Sequence, residues 1–109
     1  MTDSRTLGIF EQQILLAVLQ VGEDAYPPLI LQQLEEATGR PVSRGSVYVT
    51  LDRLEKKGLL TSTPGPREPE RGGHPKRFVS LTKAGLAALR ETRQSLLHFL
   101  NDLDAVLEP

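Results

Sequence analysis

The tract from Ser43 to Leu60, Ser-Arg-Gly-Ser-Val-Tyr-Val-Thr-Leu-Asp-Arg-Leu-Glu-Lys-Lys-Gly-Leu-Leu, constrains this chain more than any other. Val47, Leu51 and Leu54 recur at i, i+4 and i+7 and form one apolar stripe, while Ser46, Val49, Arg53 and Lys56 fall on the far side of the same cylinder. Ser43 is placed to accept a backbone N–H as the N-cap. Lys56 and Lys57 suit the negative end of the helix dipole, and Gly58 is the left-handed residue expected to stop it. Such a helix is held by its domain on one face and is free to meet a partner with the other, cationic one.

The neighbouring segments fit around it. Leu7 to Val21 is predicted as a helix with Phe10, Ile14, Ala17, Val18 and Val21 on one stripe. Leu15, Leu16 and Leu19 broaden that stripe past half the circumference, which implies burial on two sides. Gly22-Glu23-Asp24 ends it, and Pro27-Pro28 can open a second helix because proline is tolerated in a first turn. Leu29, Ile30 and Leu34 are its expected core residues and Gly39 its stop. Arg40-Pro41-Val42 then has the length that joins two steeply crossed helices, so helix, short turn and capped helix make a helix-turn-helix.

Leu59 to Thr63 and Lys76 to Leu81 are predicted as short strands. Between them, Pro64 to Pro75 holds four prolines and three glycines, too many for regular structure, and reads as a hairpin loop or wing. Thr82 caps a final helix expected to run to about Leu107, with Leu86, Leu89, Arg93, Leu96, Leu100, Leu103 and Leu107 at alternating steps of three and four. A seam of that kind argues for helix pairing, with two partners open: a second copy of the chain, or the first helix of the same chain. Arg93 either sets the register of the seam or lies at its edge. The predicted fold is mainly α with a small β-hairpin wing. A winged helix-turn-helix domain spans residues 1–81, and a C-terminal dimerisation helix spans residues 82–109 of the same compact unit.

Length and composition narrow the classes. At 109 residues the chain is one domain with a modest core, and without cysteine it has neither disulfides nor thiolate chemistry. The apolar run Ile14 to Val21 is too short to span a bilayer and no leader pattern precedes it, so a soluble, cytoplasmic protein is expected. His74 and His98 stand far apart, and no nucleophile and base or phosphate loop is patterned, so no metal, cofactor or enzymatic activity is expected. The net charge of −1 is unevenly spread: Arg40 to Arg77 carries nine basic and four acidic residues, an excess of +5 that leaves −6 elsewhere. Segregation of this kind suggests one face held toward phosphate, and it also fits a plain solvated surface.

With that order of elements in place, the chain resembles the PadR-like transcriptional regulators, winged helix-turn-helix repressors of bacteria. The matching residues are Leu7 to Glu11 with Ile14 to Leu19, Asp24-Ala25-Tyr26, Thr38-Gly39-Arg40, Ser43 to Leu60, Arg71 to Phe78 and Leu81 to Gly85. Pro27-Pro28 departs from the glycine usual after the Ala-Tyr pair and should stiffen the start of the second helix. The resemblance is to the short subgroup, in which dimerisation would rest on residues 82–109 and the first helix. It implies double-stranded DNA and a second copy of the chain as partners.

Bases are read in the major groove by short side chains near the start of a recognition helix, where Ser43, Arg44, Gly45, Ser46 and Val49 lie. Gly45 lets the backbone approach, Ser46 can donate or accept, and Val49 suits a thymine methyl. Arg44 has two placements, against a base or near the core stripe, capping Glu11 or a carbonyl. Tyr48 lies on the shoulder of the helix. The resemblance implies a phosphate contact for its hydroxyl, the alternative being a bond within the protein. Arg53, with Lys56 and Lys57, serves phosphate or solubility.

Arg71, His74, Lys76 and Arg77 surround Gly72-Gly73, where a wing tip can follow a minor groove and its phosphates. The alternative is a solvated loop that orders on binding. Phe10, Leu89, Leu96, Phe99, Leu100, Leu103 and Leu107 are the expected dimer interface. The functional expectation is a homodimeric repressor on a palindromic operator. Its rivals are a winged-helix module for protein–protein contact, and a ligand-responsive repressor with a small apolar effector where the terminal helices meet.

Overall fold

The computed structural model describes residues 6–65 and 77–109. Helix α1 is Ile9–Val21, followed by a 3₁₀ turn at Gly22–Asp24, α2 at Pro27–Thr38 and α3 at Arg44–Lys56. The hairpin is β1, Leu60–Pro64, with β2, Arg77–Leu81, and the chain closes with α4, Lys83–Leu100, and α5, Asp104–Leu107. This is the predicted fold class, a winged helix-turn-helix followed by a long helix. None of the helices among the described residues is long and apolar enough to cross a membrane.

Local chemistry sets the boundaries. Gly8 is the N-cap of α1, and the Glu11 Oε1 accepts its N–H at 2.9 Å, the returning arm of a capping box. Pro27 and Pro28 fill the first turn of α2, where a missing N–H costs nothing. After Gly39 the Glu35 carboxylate accepts the Val42 N–H at 2.9 Å, which closes the turn between α2 and α3. The Ser43 hydroxyl then accepts the Ser46 N–H at 3.3 Å and starts α3 as expected. Gly58, at φ 78°, ends it, with the Leu59 N–H returning to the Leu54 carbonyl at 3.0 Å.

Three helices surround the core. Ile14, Leu15 and Val18 of α1, Ile30 and Leu34 of α2, and Val47, Leu51 and Leu54 of α3 are buried against one another, and Leu59, Leu60, Val79 and Ala88 close the far side. Strands β1 and β2 pair antiparallel from Leu60↔Leu81 to Pro64↔Arg77. The Val79 N–H reaches the Ala25 carbonyl at 2.8 Å, tying the hairpin to the connection between α1 and α2.

The start of α4 is bolted to the end of α3. The Thr82 hydroxyl donates to the Gly58 carbonyl at 2.6 Å and accepts the Gly85 N–H at 3.1 Å, while the Thr82 N–H donates to the Leu59 carbonyl at 3.1 Å. Gly85 lies so close that a β-carbon there would fall on the Leu59 carbonyl oxygen.

One expectation is corrected. The last helix does not run to Leu107: α4 ends at Leu100, Asn101 turns extended, Asp102 takes a φ of 68°, and α5 begins at Asp104. Asn and Asp are the residues most ready to leave a helix for the left-handed region, and the leucine spacing masked that pair. Leu103 and Leu107 therefore do not continue the stripe of α4 on one helix.

Candidate nucleic-acid interface

Burial of Val47, Leu51 and Leu54 rolls the opposite side of α3 into solvent. Ser43, Gly45, Ser46, Val49, Arg53 and Lys56 are exposed there, Val49 by 57%, and Arg44, nearer the core stripe by its helical angle, is exposed as well. Arg44, Arg53 and Lys56 form no ion pair among the described residues, although the Arg53 charge lies near enough to Glu11 to help hold its carboxyl low. Tyr48 is on the exposed shoulder of the helix, and its hydroxyl has no hydrogen-bond partner among the described residues.

Two basic residues are committed elsewhere. Lys57 donates to the buried Glu11 at 2.8 Å, so Lys57 rather than Arg44 is the partner of that carboxylate. Burial alone would raise the Glu11 pKa, but the bonds from Lys57 and from the Gly8 amide outweigh it and hold the carboxyl below its ordinary value. Arg77 donates to Asp52 at 3.0 Å and also bonds Glu55. Glu55 is held low first by the Ser62 hydroxyl, which bonds it at 2.7 Å, and then, against some burial, by Arg77. Sequence reasoning missed both arrangements, because their partners lie 46, 25 and 22 residues apart. Arg71, His74 and Lys76 of the expected wing lie outside the described residues.

The expected interface residues divide into two groups. Leu89 and Leu96 line a groove of about 370 Å³ with Leu16 and Leu19 of α1, and its surface is mainly aliphatic. Leu96 and Phe99 line a second groove with Leu7 and Gln12 on the same side of α4. Leu96, Leu97 and Phe99 are 56, 58 and 73% exposed, so the far half of α4 is not covered by α1 of its own chain. Leu100 is half-buried at the helix end, and Leu103 and Leu107 lie beyond the break. Phe10 lines neither groove: it is half-buried and faces Thr38, Arg40 and Val42 near the start of α3.

Residues 15–91 match the family described as the transcriptional regulator PadR-like family. Among solved structures, the chain is 26% identical to a PadR-like transcriptional regulator from Bacillus cereus strain ATCC 14579, over 94% of each chain with a TM-score of 0.72. It is 27% identical to a PadR-like transcription factor from Bacteroides fragilis, over 91% of this chain and 90% of that one, again with a TM-score of 0.72. A complex structure of hsRosR-S1 is 26% identical over 98% of this chain and 100% of that one, with a TM-score of 0.67. No curated protein matches the chain.

Proposed function

This chain belongs to the PadR-like family of transcriptional regulators, and from that premise we propose that it is a sequence-specific repressor that binds a two-fold operator as a homodimer. The observation that carries the reading is the outer face of α3, where Ser46, Val49, Arg53 and Lys56 stand together in solvent while the opposite stripe is locked in the core. Short side chains near the start of the helix read base edges, and the cations further along hold phosphate. Tyr48 adds a hydroxyl that has no partner among the described residues, and Arg71, His74 and Lys76, which lie outside the described residues, are assigned to the DNA on the sequence alone.

The second subunit covers the exposed side of α4. Leu96 and Phe99 leave apolar surface open on the distal half of α4, with Leu97 on the flank, and the groove between α1 and α4 continues it, a surface that a partner subunit can cover. Pairing of two copies through that surface presents two α3 helices to successive major grooves, with half-sites about one helical turn apart. Occupancy of such a site blocks access to a promoter.

Selection from a randomised duplex pool tests this. The expected product is a symmetric consensus whose gel shift survives excess unrelated DNA, and a reporter carrying that site should lose transcription when the protein is expressed. A pool that returns no enriched sequence would remove the repressor reading in favour of a winged-helix module that docks on an acidic protein.

A further inference from the structure

Asp52 and Glu55 raise a question about α3, since carboxylates one turn from the DNA-facing cations repel phosphate. Their bonds supply the answer. Glu55 receives the Ser62 hydroxyl of β1 at 2.7 Å and one arm of the Arg77 guanidinium of β2. Asp52, one turn earlier, receives the other arm at 3.0 Å. Two strands of the hairpin thus grip two successive turns of the recognition helix. Pro64↔Arg77 is the last pair of the ladder among the described residues, so the grip is applied at that end of the hairpin.

These bonds bear on the role of Arg77. Both arms of the Arg77 guanidinium are occupied by carboxylates, so a phosphate approaching Arg77 would have to displace Asp52 or Glu55. Sequence reasoning grouped Arg77 with the DNA-facing residues. The geometry points to another role: we propose that Asp52, Glu55, Ser62 and Arg77 form a bracket that fixes the angle of the wing on α3, making Arg77 and Glu55 positioning residues for operator recognition.

A wing and helix already held in register lose less freedom on binding, and the benefit appears only on a site that both fit at once. Unspecific DNA, which either basic element can grip alone, gains nothing from the bracket. The inference rests on the DNA-binding reading above and separates from it in the test.

Glu55→Gln and Arg77→Gln are compared with wild type on the selected operator and on unrelated duplex over a range of salt. The bracket predicts that each weakens operator binding about tenfold and leaves unspecific binding and the salt slope unchanged. It also predicts that the double variant is no worse than either single one, because the residues act as a unit. If Arg77 instead gripped phosphate, Glu55→Gln would tighten binding by removing a repulsive charge, and Arg77→Gln would lower the salt slope by about 0.9. Either result overturns the bracket. Thermal unfolding checks that the variants fold; should one fail, Ser62→Ala, which deletes only the hydroxyl, must move the operator-to-unspecific ratio in the same direction or the bracket is refuted. Wild-type protein that selects no sequence at all would remove the DNA reading itself.

Discussion

Helices α3 and α4 open on the same device: the Ser43 hydroxyl accepts the Ser46 amide, and the Thr82 hydroxyl accepts the Gly85 amide. Each then buries one stripe in the shared core, Val47, Leu51 and Leu54 on α3 and Gly85 and Ala88 on α4. Their exposed surfaces diverge. That of α3 is the side opposite its stripe and carries Ser46, Val49, Arg53 and Lys56, whereas that of α4 is its distal half, where Leu96 and Phe99 continue the stripe of Gly85 and Ala88 past the core with Leu97 on the flank. Buried stripes of this kind specify the fold, and exposed surfaces specify what each helix meets. A polar and cationic face suits nucleic acid, and an aliphatic and aromatic face suits another copy of the protein.

The largest effect should come from making the two faces alike. Leu96→Asp with Phe99→Asp puts charge on residues that are exposed in one chain, so the monomer is expected to fold and melt normally. Sedimentation should report loss of the dimer, and operator affinity should fall about a hundredfold because two half-sites are no longer bound by one molecule. A doubly substituted protein that still sediments as a dimer would refute the proposed interface.

Glycines near the two caps give the next contrast. Gly85→Ala drives a β-carbon into the Leu59 carbonyl, where the obstacle is backbone and cannot swing away. A loss of about 2 kcal/mol in urea unfolding is expected. Gly45→Ala meets only the Ser43 hydroxyl at 3.7 Å, an ordinary contact. Its stability should hold or rise by up to about 0.5 kcal/mol, while operator binding weakens because the backbone can no longer approach the duplex as closely. Equal destabilisation by the two substitutions would contradict the docking of α4 on the end of α3.

What the sequence disclosed about these helices was local. Cap, stripe and stop signals lie within a few residues of one another, which is why Ser43, Gly58, Pro27 and Thr82 were legible in their roles. The stop of α4 at Asn101-Asp102 is local too, but the leucine repeat that runs on to Leu107 hides it. Long-range pairing is different in kind. Many cations stand in this region, and nothing in their spacing tells that Lys57 turns inward to Glu11 or that Arg77 turns back to Asp52 and Glu55. Only the packing of α1 and the hairpin on α3 decides which charges are spent inside the protein.

Glu11 offers a smaller, pH-dependent test of that division. Glu11→Gln should cost about 1.5 kcal/mol at neutral pH by removing a charge-assisted bond to Lys57. The folded-state pKa of Glu11 is lowered, so the wild-type advantage is complete above the ordinary carboxylate value of about 4.5 and is lost as pH falls through the lower folded value. Urea midpoints of wild type and variant should therefore converge below about pH 4.5. A gap that stays constant down to the acid limit would mean that the ion pair contributes nothing.

The finest test sets two adjacent lysines against each other. Lys56 is exposed on the outer face of α3, whereas Lys57 is turned into the protein and held by Glu11 at 2.8 Å. Lys56→Ala should leave folding stability within about 0.5 kcal/mol of wild type and flatten the salt dependence of DNA binding by about 0.9 in slope, the signature of one lost phosphate contact. Lys57→Ala should do the reverse, lowering stability and leaving the slope unchanged, because its charge is already neutralised before DNA arrives. Binding isotherms across a series of salt concentrations, with urea unfolding of the same samples, read both quantities. If both lysines flatten the slope equally, the salt link to Glu11 gives way to phosphate on binding, and the boundary between cations that fold the protein and cations that meet DNA must be drawn one residue further along the helix.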